Sequence, residues 1–186
     1  MFIVLSGVSS SGKNTVMEAL MKKRENLKIL ELSSGTTRLK RESDGRFNTY
    51  VYLSKEEFEK GIKQGRFFEY EIVHGNYYGT LLSRLEDVVA DKNCDYMRDI
   101  DVKGNVNLKK FFEGKCPMLS IFLDAPDHVL RERLRLRGDS PQDIEKRLSR
   151  STLERSYKTN YDLVIENIDL DKTVETINEF IDKYKN

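Results

Sequence analysis

The chain has 186 residues, 38% hydrophobic and 34% charged, with a formal net charge of +1. That length suits one domain with a proper core and inserted flaps, and the balanced charge excludes any global pull towards nucleic acid or an anionic membrane, so charge must act locally. Cys94 and Cys116 have neither metal-ligand spacing nor a disulfide framework, no apolar run is long enough to cross a bilayer, and reduced thiols in a cytoplasmic protein are the expectation.

Phe2 to Leu5 is a short continuous apolar run, the pattern of a strand buried on both faces. The opening MFIVLSG lacks the basic flank and long apolar segment of a signal peptide. A Gly/Ser loop leads into a helical pattern from Thr15 to about Lys23, with Val16, Leu20 and Met21 apolar. Lys22, Lys23 and Arg24 fall near its end, where cations suit the helix dipole. Residues 28–32, KILEL, read as a second strand. Residues 34–80 differ in character, with Phe47, Tyr50, Tyr52, Phe67, Phe68, Tyr70, Tyr77 and Tyr78 among them. A helix over Lys55 to Gln64 is opened by Ser54 with Glu57, a capping-box pattern, and short strand-like pieces surround it; the segment reads as a small mixed insert.

Helical spacing resumes over 81–92, DYMRDID at 95–101 is a strand ending in acids, and MLSIFL at 118–123 is an apolar strand. Residues 126–157 are charged and helical with a break at Gly138–Pro141, and a last strand (161–166) and amphipathic helix (171–184) follow. Strands alternating with helices predict an α/β fold with a parallel sheet flanked by helices, whose ligands bind beyond the carboxyl ends of the strands.

The loop GVSSSGKNT, Gly7 to Thr15, nearly spells the phosphate-binding pattern GxxxxGK[ST] in its required strand–loop–helix context. Gly7 and Gly12 permit backbone angles that a Cβ would forbid, so that the amides of Ser9, Ser10 and Ser11 can converge on phosphate oxygens beside a helix start. Lys13 supplies a mobile point charge for the β- and γ-phosphates. Asn14 stands where the pattern has a hydroxyl that ligates Mg²⁺; its amide oxygen is a longer, neutral ligand, and Thr15 lies elsewhere on the helix, from where it can still reach a phosphate. Weaker Mg²⁺ binding with catalysis retained is the expectation.

The acceptor side is more specific. SGTTRLKR at 34–41 places Arg38 and Arg41 three apart after a strand; Tyr50, Phe68-Glu69-Tyr70, HGNYYGT at 74–80 and DIDVKG at 99–104 follow. This constellation resembles guanylate kinase, from the first strand to the last helix. The resemblance implies a nucleoside monophosphate kinase core (1–33, 81–125 and 158–186), a GMP-binding insert (34–80) and a helical lid (126–157), with ATP and GMP as substrates and Mg²⁺ entering with ATP. Arg38 and Arg41 would clamp the acceptor phosphate, joined by the hydroxyls of Tyr50 and Tyr78. Glu69 matches the carboxylate that accepts from guanine N1–H and N2–H₂, and Ser34 and Thr80, with Gly79 beside them, match the residues near O6. Asp99 would face the nucleotide, and Asp101 would assist the base or the metal's water shell.

In the lid, Arg131 and Arg135 share one helix face and Arg133 and Arg137 another. RLRLRG at 133–138 and Arg147-Leu148 match the family's lid pattern. The resemblance makes Arg137 and Arg147 cations closing over the transferring phosphoryl group, places Arg133 at ATP, and sets Asn167 near adenine. Lys13, Arg38, Arg137 and Arg147 thus carry the charge work. Departures lie beside the ligands: Lys40 for a usual Pro, the stretch 42–49, Arg98 in a normally apolar strand position, and Lys103 for a usual Gln. A non-catalytic module binding phosphorylated peptides is the rival reading; it would be expected to lose the loop lysine or lid arginines, and Lys13 and Arg137 are present.

Overall fold

The computed structural model describes residues 1–40, 47 and 49–185. In chain order the elements are β1 (Phe2–Gly7), α1 (Lys13–Lys23), β2 (Leu27–Ile29), β3 (Ser34–Thr36), β4 (Tyr50–Tyr52), α2 (Lys55–Lys63), β5 (Phe67–Val73), β6 (Asn76–Leu81), α3 (Leu82–Ala90), β7 (Asp95–Asp99), α4 (Val102–Phe112), β8 (Met118–Asp124), α5 (Asp127–Leu136), α6 (Pro141–Arg155), β9 (Leu163–Glu166) and α7 (Leu170–Lys185). Two compact units result: a second unit of Ile29–Asn93, and a first unit made by the chain on either side of it.

The first unit is built on a five-stranded sheet in the order β2-β7-β1-β8-β9. β1 runs parallel to both β7 and β8, and β8 parallel to β9. Phe2, Ile3, Val4 and Leu5 are fully buried, as is most of β8, because helices cover both faces of a parallel sheet and its central strands carry no polar face. α7 turns Val174, Ile177 and Ile181 inward at helical spacing. Arg24 at the end of α1 donates to Asn178 Oδ1 at 2.6 Å and Asp182 Oδ1 at 2.7 Å, which ties α1 to α7.

Two strand ends and one helix depart most from the sequence reading. The strand expected over 28–32 stops at Ile29, because Glu31 N–H turns back to Ile29 O at 3.0 Å and Leu32 then takes the left-handed conformation (φ 48°). The strand expected over 95–101 ends at Asp99, because Asp101 leaves the sheet to cap a helix: its Oδ1 accepts from Gly104 N–H at 2.7 Å. That helix, α4, has no counterpart in the sequence reading; it buries Val102, Leu108 and Phe112, the last with its ring 4.8 Å from that of Phe2.

The second unit is a four-stranded sheet in the order β4-β3-β6-β5. β3 pairs parallel to β4 and antiparallel to β6, and β5 and β6 form a hairpin. α2 begins with the expected capping box, Glu57 N–H to Ser54 Oγ at 3.1 Å and Ser54 N–H to Glu57 Oε2 at 2.7 Å. Its Phe58, fully buried, stacks on Phe67 of β5 with centroids 4.1 Å apart.

Candidate active site

In the first unit, β1 feeds directly into the Gly/Ser loop. Gly7 has φ 148°, and a Cβ there would lie 2.0 Å from Leu123 O of the neighbouring strand. Gly12 has φ 92°, and a Cβ there would lie 2.5 Å from Asn167 Nδ2. Both positions are therefore closed to any side chain. The first intrahelical bond of α1 runs from Val16 N–H to Gly12 O, and no side chain caps this helix, in contrast with α2, α4 and α6. The N–H groups at the start of α1 are thus free of intrahelical acceptors and aim out of the helix end, as an anion requires. Lys13 folds back over the loop, donating from Nζ to Gly7 O at 2.8 Å and Val8 O at 3.1 Å. Burial pushes its pKa below the usual lysine value, while Asp99 and Glu154 pull the other way. Asn14 and Thr15 are exposed on the first turn.

Behind the loop, two residues brace its far side. Asn167 is 4% exposed and donates from Nδ2 to Ser11 O at 2.8 Å. Arg133 donates to Asn167 O at 2.7 Å and to Ser10 O and Ser11 O at 3.4 and 3.3 Å. Burial holds the Arg133 guanidinium below its usual value.

The other lid arginines separate as the helical spacing predicts. Arg135 pairs with Glu132 along α5, and Arg131 pairs with Glu145 across to α6, both on the outside. Arg137 and Arg147 converge on Asp139 instead. Arg137 donates from Nε to Asp139 Oδ2 at 2.6 Å and from Nη2 to Oδ1 at 2.8 Å; Arg147 donates from Nε to Oδ1 at 2.9 Å. Arg147 Nη1 also reaches Ser9 Oγ of the loop at 3.3 Å. Glu154 of α6 is held near the loop with Arg150 Nε at 3.2 Å, and burial raises its pKa. Neither Asp139 nor Glu154 stands out in the sequence, since both sit among the many charges of 126–157.

The second unit gathers its site residues by strand register. Tyr50, Ser34, Thr80 and Glu69 are consecutive partners across all four strands: Ser34 pairs with Tyr50 and with Thr80, and Thr80 with Glu69. Paired residues project from the same face, so the four form one row. On the opposite face, Gly35 and Gly79 lie against the aromatic core; a Cβ on Gly79 would sit 2.7 Å from Phe67 Cδ1 and 2.9 Å from Phe58 Cζ. Plain alternation along β5 would put Phe67 and Glu69 on one face. A bulge between them resolves this: Phe67 pairs with Leu81 and Glu69 with Thr80, adjacent positions of β6, so Phe67 enters the core while Glu69 joins the polar row. At the row's other end, the Arg38 guanidinium lies 5.3 Å from the Tyr50 ring centroid, and Tyr78 meets the same ring edge-on at 6.4 Å. Arg41 and most of the stretch 42–49 lie outside the described residues.

Asp99 and Asp101 belong to the first unit. Asp99 ends β7 in register with Leu5, and Asp101 uses Oδ1 for the α4 cap. Arg98 is buried at 8% exposure in register with Val4. Among the described residues no group of three His, Cys, Asp or Glu could hold a metal ion. The oxygen donors at the loop, Asn14 and Asp99, are hard ligands and fit a Mg²⁺ that arrives with nucleotide phosphates and waters. Nor is any helix among the described residues long and apolar enough to cross a membrane.

Comparison with known proteins agrees with this geometry. A family model described as guanylate kinase matches residues 1–184. The guanylate kinase of Chlorobium chlorochromatii is 39% identical over 178 residues, covering 94% of this chain and 90% of that protein. The guanylate kinase of Helicobacter pylori is 38% identical over 177 residues, covering 94% and 83%. Among solved structures, the crystal structure of guanylate kinase from Anaplasma phagocytophilum superposes with a TM-score of 0.71 at 28% identity, covering 98% of this chain and 85% of that one.

Proposed function

The chain belongs to the guanylate kinase family and is an ATP:GMP phosphotransferase, and we propose the following division of labour among its residues. The loop of the first unit takes ATP. Its amides and the start of α1 hold the phosphates, and Lys13 exchanges the carbonyls of Gly7 and Val8 for β- and γ-phosphate oxygens. Arg133 and Asn167 serve ATP binding indirectly, by fixing the shape of the loop they brace. Mg²⁺, bound through phosphates and water with Asn14 as its one protein neighbour on the helix, would neutralise charge on the β- and γ-phosphates.

The second unit takes GMP. Glu69 accepts from guanine N1–H and N2–H₂, while Thr80 and Ser34, one and two strands along the same row, meet O6. Arg38, with Tyr50 and Tyr78, grips the phosphate at the row's far end, and Arg41 adds a second cation. The residues of this set are assigned to base and phosphate, and dGMP is proposed as a second acceptor. Transfer itself is positioning and charge neutralisation with no covalent intermediate. Arg137 and Arg147 stabilise the charge that spreads over the equatorial oxygens, and Asp99 and Asp101 stand on the nucleotide side of the first unit.

One observation carries the choice of base: the Tyr50–Ser34–Thr80–Glu69 row, which runs from a tyrosine with Arg38 over its ring to a carboxylate across a single sheet face. A carboxylate answers two adjacent guanine donors and repels the N1 acceptor of adenine, a mismatch that leaves buried polar groups unpaired. An ADP-release assay with GMP, dGMP, AMP, CMP and UMP tests it. Turnover confined to GMP and dGMP is expected. Comparable turnover of AMP, or tight phosphopeptide binding without turnover, overturns it.

A further inference from the structure

The role given to Arg137 and Arg147 raises the question of what aims them. Long arginine side chains on a lid have many rotamers, and both are about half exposed, at 50% and 44%. Their common partner is not. Asp139 is 10% exposed, and its backbone is fixed from both sides. Its N–H donates to Leu134 O in the last turn of α5, Gly138 before it turns the chain at φ 90°, and Ser140 after it caps α6 by accepting from Asp143 N–H at 3.2 Å. A carboxylate on a rigid mount thus meets two cations on mobile stems.

The contacts are directional. Asp139 engages both guanidinium groups through Nε–H, the edge nearest the chain, and takes one further bond from Arg137 Nη2. Holding the Nε edge fixes the plane of each guanidinium and keeps outer N–H groups pointed away from Asp139. For Arg147 the outward end is seen to reach the loop, through Nη1 to Ser9 Oγ. Two cations against one anion also leave a surplus positive charge over the loop. A mere staple between α5 and α6 would be redundant, since Arg131 and Glu145 already join those helices.

We propose that Asp139 is the positioning residue of the lid, holding Arg137 and Arg147 as a pair by their inner edges so that their outer edges are presented to the transferring phosphoryl group. This inference rests on the assignment of those two arginines to catalysis. Without Asp139 both cations remain but are misdirected, so the cost falls on turnover and not on GMP binding.

The test compares kcat, both KM values and the melting temperature for D139N, D139A, R137A/R147A and the triple variant carrying D139A. D139N keeps the shape of the side chain and serves if D139A folds poorly. We expect D139N and D139A to lower kcat by about 10- to 100-fold, the scale of a misplaced catalytic group, with KM for GMP unchanged. In the R137A/R147A background, removing Asp139 is expected to change kcat by less than about twofold, because residues that act through one another are not additive. A wild-type kcat in D139N overturns the proposal, as does a raised kcat or lowered KM for ATP, which would make Asp139 a competitor of phosphate. Equal losses in both backgrounds overturn it in favour of a purely structural role. If R137A/R147A itself keeps wild-type kcat, the arginine assignment falls and the role of Asp139 with it; if it loses turnover while D139N does not, only the role of Asp139 falls.

Discussion

The two units build their candidate nucleotide sites in opposite ways. The first unit uses backbone: glycines at φ 148° and 92°, an uncapped helix start, and braces on loop carbonyls from Arg133 and Asn167. The second uses side chains: four residues from four strands brought into a row by register. A backbone site tolerates an unusual side chain on its rim, as Asn14 shows, but no added Cβ where strands touch. A side-chain site accommodates backbone irregularity, as the bulge before Glu69 shows, and should be sensitive instead to a change of residue along the row.

The largest expected effect is on the one side chain the loop cannot replace. Lys13→Met should lower kcat by about 10³-fold, since it removes the point charge on the β- and γ-phosphates. Burial already lowers the Lys13 pKa, so the charged form is disfavoured in the folded state. Between that lowered value and the unfolded lysine value of 10.5, the unfolded chain binds more protons and stability rises with pH. Lys13→Met should abolish that rise and leave the melting temperature at pH 7 no lower than the parent's; a clear drop would show that the two carbonyl bonds of Nζ outweigh its burial.

Gly7→Ala probes the backbone side of the contrast. Its Cβ would meet a strand carbonyl, Leu123 O, and no flexible side-chain end is there to give way. A loss of about 3 kcal/mol in chemical denaturation is expected, larger than for a typical substitution. A variant as stable as the parent would show that the strand–loop junction adjusts, and the backbone account of the loop would then fail.

On the side-chain face, Glu69→Gln should raise KM for GMP by about 10- to 100-fold and weaken the preference over AMP, because a charged acceptor of two hydrogen bonds is replaced by an amide. Deleting Phe68 sharpens the point. Phe67 and Glu69 pair with adjacent residues of β6, so their removal of the intervening residue leaves plain alternation with Glu69 still in the row. The deletion should cost about 1 kcal/mol or less in GMP binding and preserve base choice. Loss of base choice on that deletion would mean that the bulge itself aims Glu69.

How far the sequence announced each region follows from the same difference. The loop was legible because backbone demands are written as glycines at fixed spacing, and β1 and β8 because central parallel strands are continuous apolar runs. The capping box of α2 was legible as two residues three apart. The residues of the second unit were singled out through family resemblance and their row came only from the register, since Phe67 and Glu69 two apart predict a shared face and the bulge that separates them has no sequence mark. α4 was missed because its buried residues Val102, Leu108 and Phe112 are diluted by Gly104, Asn105 and Asn107, weak helix formers. Asp139 was missed because one acid in a charge-dense lid has no pattern; only its burial beside two exposed arginines distinguishes it.

The smallest expected effect concerns Asn14, and it bears on why a departure from the loop pattern survives. The residue is exposed on the first turn of α1, and the groups proposed to hold phosphate around it are main-chain N–H and Lys13, none of which depends on the identity of position 14. Among the described residues there is also no acidic cluster to bind a metal without nucleotide. On the proposed reading, in which Mg²⁺ is held chiefly by phosphates and water, a hydroxyl at this position would add one ligand. Asn14→Ser should lower the Mg²⁺ concentration for half-maximal rate by about fivefold, the equivalent of about 1 kcal/mol, with kcat at saturating Mg²⁺ changed little. An unchanged Mg²⁺ requirement would place the ion out of reach of position 14, and a large gain in kcat would mean that the amide obstructs the phosphates, contrary to a loop whose grip lies in its backbone.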